Sequence, residues 1–125
     1  MNGRYLLDTN IIIYAINNKI ELPSANYAIS VITKMELLSF PKITPIETES
    51  MRKLLSNFKI LEIDSSVKNK TIEFRKNYSI KLPDSIICAT AYSNNMVLVT
   101  NDKQLQKVEE IEIKSINGFL NENGE

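Results

Sequence analysis

Four acidic side chains stand beside the most apolar stretches of this sequence. Asp8 follows the run "YLL", Glu36 is the single acid of "VITKMELLSF", Asp84 opens the apolar segment "PDSIICATAYSNN", and Asp102 follows "MVLVTN". Carboxylates that converge repel one another, which raises their pKa values and destabilises the fold unless a cation neutralises them. Oxygen ligands without histidine or thiolate suit Mg²⁺ or Mn²⁺. One or two such ions can activate water and stabilise the departing oxygen in phosphodiester cleavage.

Each of the four acids also has a purely structural explanation. Asp8 can cap the helix that follows it, and Glu36 can complete a capping box in the sequence "TKME". Asp84 can be an acid placed favourably at a helix amino terminus. Asp102 can belong to a simple turn, "TNDK". The metal-site hypothesis therefore depends on the four acids in combination, each beside a buried element, and on none of them alone.

The composition restricts the chemistry that is open to the chain. Its 125 residues contain 15 basic and 15 acidic side chains, no histidine and one cysteine. This balance excludes a uniformly basic coat for nucleic acid, although it allows a local basic patch. The absence of histidine excludes imidazole bases and triads, and a single cysteine excludes an internal disulfide. Without a signal or a membrane-spanning run, we expect a soluble cytoplasmic protein.

Strands and helices alternate along the sequence. Apolar runs predict strands over 4–7, 26–31, 58–64, 96–101 and 110–117. Helical spacing predicts helices over 10–18, 31–40, 65–78 and 83–95, and a capping box opens a further helix at Thr44. This α/β alternation predicts one domain over 1–120 around a parallel sheet covered on both faces, with a frayed tail over 121–125. Working residues are expected just beyond the carboxyl ends of such strands.

The sequence resembles the PIN-domain ribonucleases, and most of all the toxins of VapBC-type toxin–antitoxin pairs. The resemblance covers about the whole chain and lies in the motifs "YLLDTNIIIY", "ISVITKMELLSF", "LPDSIICATA" and "LVTNDK". It implies an α/β fold, a three-layer α/β/α sandwich with a central parallel sheet. It also implies an acidic, metal-binding catalytic centre formed by Asp8, Glu36, Asp84 and Asp102. Two polar residues that flank this centre, Asn10 and Thr100, are expected to support it.

The activity implied by this resemblance is that of a metal-dependent endoribonuclease, which cleaves RNA with water activated by Mg²⁺ or Mn²⁺. The implied partners are RNA, a cognate antitoxin that blocks the site, and a second copy of the chain in a homodimer. The sequence departs from the family in two ways, and one is that the segment between Glu36 and Asp84 is on the short side. Gln104 and Leu105 stand where members often carry an acid and a phenylalanine, so that Asp102 is the only acid of its loop.

Basic residues precede the third acid along the chain. A polyanionic substrate needs positive charge near an acidic centre, and five side chains are candidates for binding RNA: Lys68, Lys70, Arg75, Lys76 and Lys81. Arg52 and Lys53 lie on the preceding helix. The alternative is an ordinary solvated helix face, in which Glu73 dilutes the positive charge.

Other protein classes fit parts of the pattern. A receiver-type phosphoacceptor domain would use an acceptor aspartate, a switch hydroxyl and a phosphate-binding lysine, namely Asp64, Thr100 and Lys114. That hypothesis leaves Glu36 and Asp84 without a role. A haloacid-type phosphatase needs an aspartate two residues after the first, where Asn10 stands. A non-catalytic member of the PIN fold remains open, but such modules tend to lose the acids that this chain keeps.

Overall fold

A computed structural model describes residues 4–123 of the chain. Within these residues five strands form the centre: β1 (Arg4–Leu7), β2 (Asn26–Ser30), β3 (Lys59–Leu61), β4 (Val97–Val99) and β5 (Ile113–Lys114). The same residues form six α-helices: α1 (Thr9–Asn17), α2 (Val31–Leu38), α3 (Pro45–Leu55), α4 (Ser65–Tyr78), α5 (Leu82–Ser93) and α6 (Ile116–Asn123). None of these helices is long and apolar enough to cross a membrane.

Several helices begin where the sequence supplies a capping side chain. The Thr44 hydroxyl accepts the Glu47 N–H at 3.1 Å, and the Thr44 N–H donates to the Glu47 carboxylate at 3.0 Å. This reciprocal pair is the predicted capping box, and it satisfies donors that the first turn leaves without a partner. At α2 and α4 the cap is a single bond, in which the Ser30 side chain accepts the Ile32 N–H and the Asp64 side chain accepts the Val67 N–H. The predicted starts of these helices are therefore confirmed.

The sheet is entirely parallel, with the strand order β3-β2-β1-β4-β5. Strand β1 is central, and its Tyr5 pairs with Tyr27 of β2 and Val97 of β4. The chain moves outward from β1 to β2 and β3, and then crosses back to place β4 on the other side of β1. Such a reversal opens a crevice beyond the carboxyl ends of the two strands that flank it. Here those strands are β1 and β4.

Two apolar clusters fill the two faces of the sheet. Leu6, Ala28 and Leu98 pack on one face against Phe74 of α4 and a run of buried residues in α5. The opposite face buries Leu7 and Val99 together with residues of α1, α3 and α6, among them Ile11, Leu55 and Phe119. The alternation of side chains along each strand produces this division. The predicted three-layer α/β/α sandwich is confirmed.

The last third of the chain differs from the predicted elements. A strand over 110–117 is wrong, because only Ile113–Lys114 pairs with β4 and a helix begins at Ile116. The Asn101 side chain accepts the Ile116 N–H at 3.0 Å, which ties the start of α6 to the end of β4. Helix α6 extends to Asn123, into the segment predicted to be frayed, while 124–125 lie outside the described residues. The single-domain boundary stays a prediction.

Candidate active site

Asp8 lies at the carboxyl end of the central strand, where the crevice between β1 and β4 opens. Its side chain is buried, with 4% exposed, and its Oδ2 accepts a hydrogen bond from the Thr100 hydroxyl at 2.7 Å. The Thr100 hydroxyl in turn accepts the backbone N–H of Asp102 at 3.0 Å. Thr100, at the end of β4, thus links Asp8 to the loop that carries Asp102.

The environment of Asp8 opposes its negative charge. Burial raises its pKa, the charges of Asp84 and Asp102 add to that rise, and the resulting pKa is about 6. The Thr100 hydroxyl and the Thr9 amide lower the pKa, but they do not offset burial. Asp8 occupies the N-cap position of α1 without a side-chain capping bond, so helix capping does not explain its presence.

Glu36 reaches the same region from α2. Its Oε1 accepts a hydrogen bond from the Thr9 hydroxyl at 2.6 Å, and the Thr9 and Thr33 hydroxyls lie 3.0 Å apart. A capping box between Thr33 and Glu36 is not formed, because Ser30 caps α2 one turn earlier. Thr9 is not among the residues that the sequence pattern predicts for the site. Its only signal in the sequence is that it is a hydroxyl residue within the apolar run around Asp8.

Asp84 lies in the first turn of α5 and is partly buried. Burial raises its pKa, the charges of Asp102 and Glu36 raise it further, and the Lys81 ammonium lowers it. An acid in the first turn also interacts favourably with the helix dipole. Asp84 therefore has the favourable position at a helix amino terminus that the structural explanation predicted. It is also repelled by Asp102 and Glu36.

Asp102 lies in the loop after β4 and is partly buried. Its Oδ1 accepts the backbone N–H of Gln104 at 2.9 Å, which is the local turn that the alternative explanation predicted. This bond uses one oxygen and leaves the other for further contacts. The charge of Asp102 raises the pKa values of Asp8 and Asp84, so the four acids influence one another although they come from four separate segments.

Three of the acids line one cleft of about 310 Å³. Asp8, Glu36 and Asp84 face it together with Asn10, which is exposed. All of these side chains offer oxygen atoms, which are the ligands that hard divalent ions prefer. A bound cation would also relieve the mutual repulsion of the acids. Among residues 4–123, however, no group of three or more aspartate, glutamate or cysteine side chains is arranged to hold a metal ion.

The candidate RNA-binding cations differ in their surroundings. Lys81 precedes α5 and its charge acts on Asp84, while Arg75 donates to the Ile80 carbonyl in the connection that leads to α5. Lys76 is exposed in the last turn of α4, and Lys68 is exposed near its beginning. Among these candidates, Lys81 is the one whose charge acts on an acid of the candidate site, because it lowers the pKa of Asp84.

Lys70 has a different environment from the other basic candidates. Its ammonium pairs with Glu73 at 3.1 Å and with Glu110 at 3.4 Å, and it lies 4.1 Å from the centre of the Tyr92 ring. Tyr92 is near the carboxyl end of α5, whereas Asp84 is in its first turn. The contacts of Lys70 therefore tie α4 to α5 and to the loop before β5, and they do not bring its charge to the cleft.

The residues of the receiver hypothesis are engaged elsewhere. The Asp64 carboxylate caps α4 by accepting the Val67 N–H at 2.9 Å, and Lys114 pairs with Glu122 and Glu112. A receiver domain has the strand order 2-1-3-4-5, which this sheet does not share. The receiver prediction is wrong on topology. Thiol chemistry is also disfavoured, since burial raises the pKa of Cys88 to about 12.

Comparison with known proteins places this geometry in a family. The PIN domain family matches residues 5–111. A toxin–antitoxin complex from Klebsiella pneumoniae contains a similar chain, with 30% identity, a TM-score of 0.72, and coverage of 86% of this chain and 94% of that one. No curated protein matches the sequence.

Two further solved structures agree with this placement. VapBC2 from Rickettsia felis, bound to a DNA fragment from its promoter, has 27% identity and a TM-score of 0.77, covering 90% of this chain and 98% of that one. DNA-bound VapBC from Salmonella typhimurium has 26% identity and a TM-score of 0.76, covering 92% and 98%. The resemblance to VapBC-type toxins is confirmed, and the chain belongs to the PIN domain family.

Proposed function

We propose that this chain is a metal-dependent endoribonuclease and the toxin of a VapBC-type toxin–antitoxin pair. The observation that carries the proposal is the convergence of Asp8, Glu36 and Asp84 on one cleft at the β1–β4 crevice. Burial raises the pKa of Asp8, and repulsion from Asp84 and Asp102 raises it further, as expected for acids that are completed by a cation. Membership of the PIN domain family supports nuclease chemistry at this place.

The residues proposed to hold Mg²⁺ or Mn²⁺ are Asp8, Asp84 and Asp102, with Glu36 beside them. A divalent ion held by these residues would lower the pKa of water and stabilise the charge on the leaving oxygen. The Thr100 hydroxyl holds the Asp8 carboxylate in place through Oδ2. Glu36 uses Oε1 to accept the Thr9 hydroxyl, so Oε2 remains to accept the proton of the attacking water. Water attacks phosphorus in line and gives a proton to Glu36 Oε2, the bond between phosphorus and the 3′ oxygen breaks, and that oxygen takes a proton from solvent to become the 3′-hydroxyl.

The chemical ends of the products test this mechanism. A water nucleophile predicts fragments with 5′-phosphate and 3′-hydroxyl ends when the protein cuts total bacterial RNA in Mn²⁺. Attack by the neighbouring 2′-hydroxyl would instead leave 2′,3′-cyclic phosphates. End-specific ligation and mass spectrometry of the fragments distinguish the two. Cyclic phosphate ends, or equal cleavage by wild type and Asp84→Asn, would exclude the proposed chemistry.

The basic side chains at the α4–α5 connection are proposed to bind the RNA backbone. Lys76→Ala combined with Lys81→Ala is expected to weaken RNA binding and to lower the salt slope of log K by about 2, or about 1 for each phosphate contact. The measurement is fluorescence anisotropy on Asp84→Asn protein at several salt concentrations. Lys59→Ala is the control, because Lys59 is exposed at the start of the edge strand β3, which β2 separates from β1. An unchanged slope would assign both lysines to a solvated face.

An antitoxin is the proposed protein partner, as in the complexes to which the chain is similar. An apolar groove of about 550 Å³ runs between α1, the α2–α3 connection and α3. It includes Ile46, which is 81% exposed, and it shares Ile13 and Phe40 with the acidic cleft. A segment lying in this groove would therefore also obstruct the cleft. The homodimer and the cytoplasmic location stay predictions.

A further inference from the structure

Thr9 contacts acids from two separate elements. It is the first residue of α1 and is 8% exposed. Its amide interacts with the Asp8 carboxylate, and its hydroxyl lies 2.6 Å from Glu36 Oε1 and 3.0 Å from the Thr33 hydroxyl. A threonine hydroxyl carries one proton, and an ionised carboxylate oxygen can only accept. Thr9 therefore donates to Glu36, and Thr33 donates to Thr9.

We infer that Thr9 is a positioning residue that sets the orientation of the Glu36 carboxylate, an inference that rests on the proposed nuclease function. A glutamate side chain has three rotatable bonds and loses considerable freedom when it is fixed. Glu36 is only partly buried, so packing alone does not hold it. Thr9 is branched at Cβ and buried, which makes its hydroxyl a stiff anchor.

The Thr33 hydroxyl completes this anchor. Thr33 is fully buried in α2, one turn before Glu36, and its proton points to the Thr9 oxygen. With that lone pair of Thr9 occupied, the Thr9 proton is directed to Glu36 Oε1. The chain of hydroxyls from Thr33 through Thr9 thus engages Oε1 of Glu36, which lines the cleft, and leaves Oε2 available. Partners that orient the residues of a metal site in this way typically change activity by about 10- to 100-fold when they are removed.

The test compares Thr9→Val with Thr9→Ser. Valine keeps the shape of threonine and removes the hydroxyl, so kcat for RNA cleavage in Mn²⁺ is expected to fall roughly 10- to 100-fold. KM is expected to stay unchanged, because Thr9 lines the cleft with its hydroxyl already engaged by Glu36 and Thr33. Thr9→Ser restores the hydroxyl and most of kcat. Thr71→Val is the matched control, since Thr71 is also buried but its hydroxyl donates to the Val67 carbonyl within α4.

A second readout is independent of activity. The ¹³C resonance of the Glu36 side-chain carboxyl, measured in metal-free protein, is expected to shift in Thr9→Val and to stay in place in Thr9→Ser and Thr71→Val. If the wild type cuts no RNA, the proposed function fails and this resonance still decides the role of Thr9. A Glu36 resonance unmoved by Thr9→Val, or a kcat equal to that of the wild type, would overturn the inference.

Discussion

Asp8→Asn is expected to abolish RNA cleavage and to stabilise the metal-free protein at neutral pH. The pKa of Asp8 is raised from 3.8 to about 6, so ionising this buried group opposes folding. Two pKa units correspond to about 3 kcal/mol, and burying the asparagine amide offsets a part of it, which leaves a gain of about 2 kcal/mol. The rate of cleavage should fall by at least about 100-fold, because removing a residue that only orients a metal ligand already lowers activity by about 10- to 100-fold.

Chemical denaturation in EDTA and an RNA cleavage assay in Mn²⁺ measure these two effects on the same preparations. The control is Asp64→Asn, because asparagine caps a helix as well as aspartate does and Asp64 caps α4. It should leave the free energy of unfolding within about 0.5 kcal/mol of the wild type and leave cleavage intact. A less stable Asp8→Asn protein that still cuts RNA would contradict the proposed site.

The stability of the metal-free protein is expected to fall as the pH rises from about 4 to about 6. In this window the folded protein keeps the proton of Asp8, whose folded pKa is about 6, while the unfolded chain, with a pKa near 3.8, loses it. Between these two pKa values the folded state binds more protons than the unfolded chain, so the free energy of unfolding decreases as the pH rises. The total loss from Asp8 amounts to about 3 kcal/mol and levels off above the folded pKa.

The difference between wild type and Asp8→Asn isolates this effect, because the other titrating groups are common to both proteins. Denaturation curves at a series of pH values in EDTA should show that difference growing from about pH 4 to about pH 6. Saturating Mn²⁺ at neutral pH should stabilise the wild type and leave Asp8→Asn almost unchanged. A difference that does not vary with pH would mean that Asp8 is not held in a charge-opposing environment.

Most of the fold follows from local patterns in the sequence. The capping box at Thr44 and the apolar strand before Asp8 predict their elements because the interactions involved lie within a few residues. The end of the chain does not yield to the same reasoning. Ile113 continues the alternation of a strand, but Ile116 and Phe119 are both buried in the second core cluster, and this tertiary packing favours a helix from Ile116.

The candidate site is predictable as a set of residues, and much less so as a set of contacts. Strand order decides that Asp8 meets Thr100 across 92 positions of sequence, and no local signal encodes that order. Thr9 gains its importance from a contact with Glu36 on another helix, which periodicity does not reveal. Lys70 fits a basic patch in the sequence, yet its ammonium lies over Tyr92.

Titration calorimetry with Mn²⁺ tests most directly the proposal that Asp8, Asp84 and Asp102, with Glu36 beside them, hold a divalent ion. The wild type, Asp84→Asn and Asp64→Asn are compared at neutral pH. Asp84 faces the cleft and Asp64 only caps α4, so Asp84→Asn is expected to lose Mn²⁺ binding and Asp64→Asn to keep it. Binding that survives Asp84→Asn, or a wild type that binds no Mn²⁺, would contradict the proposed metal site.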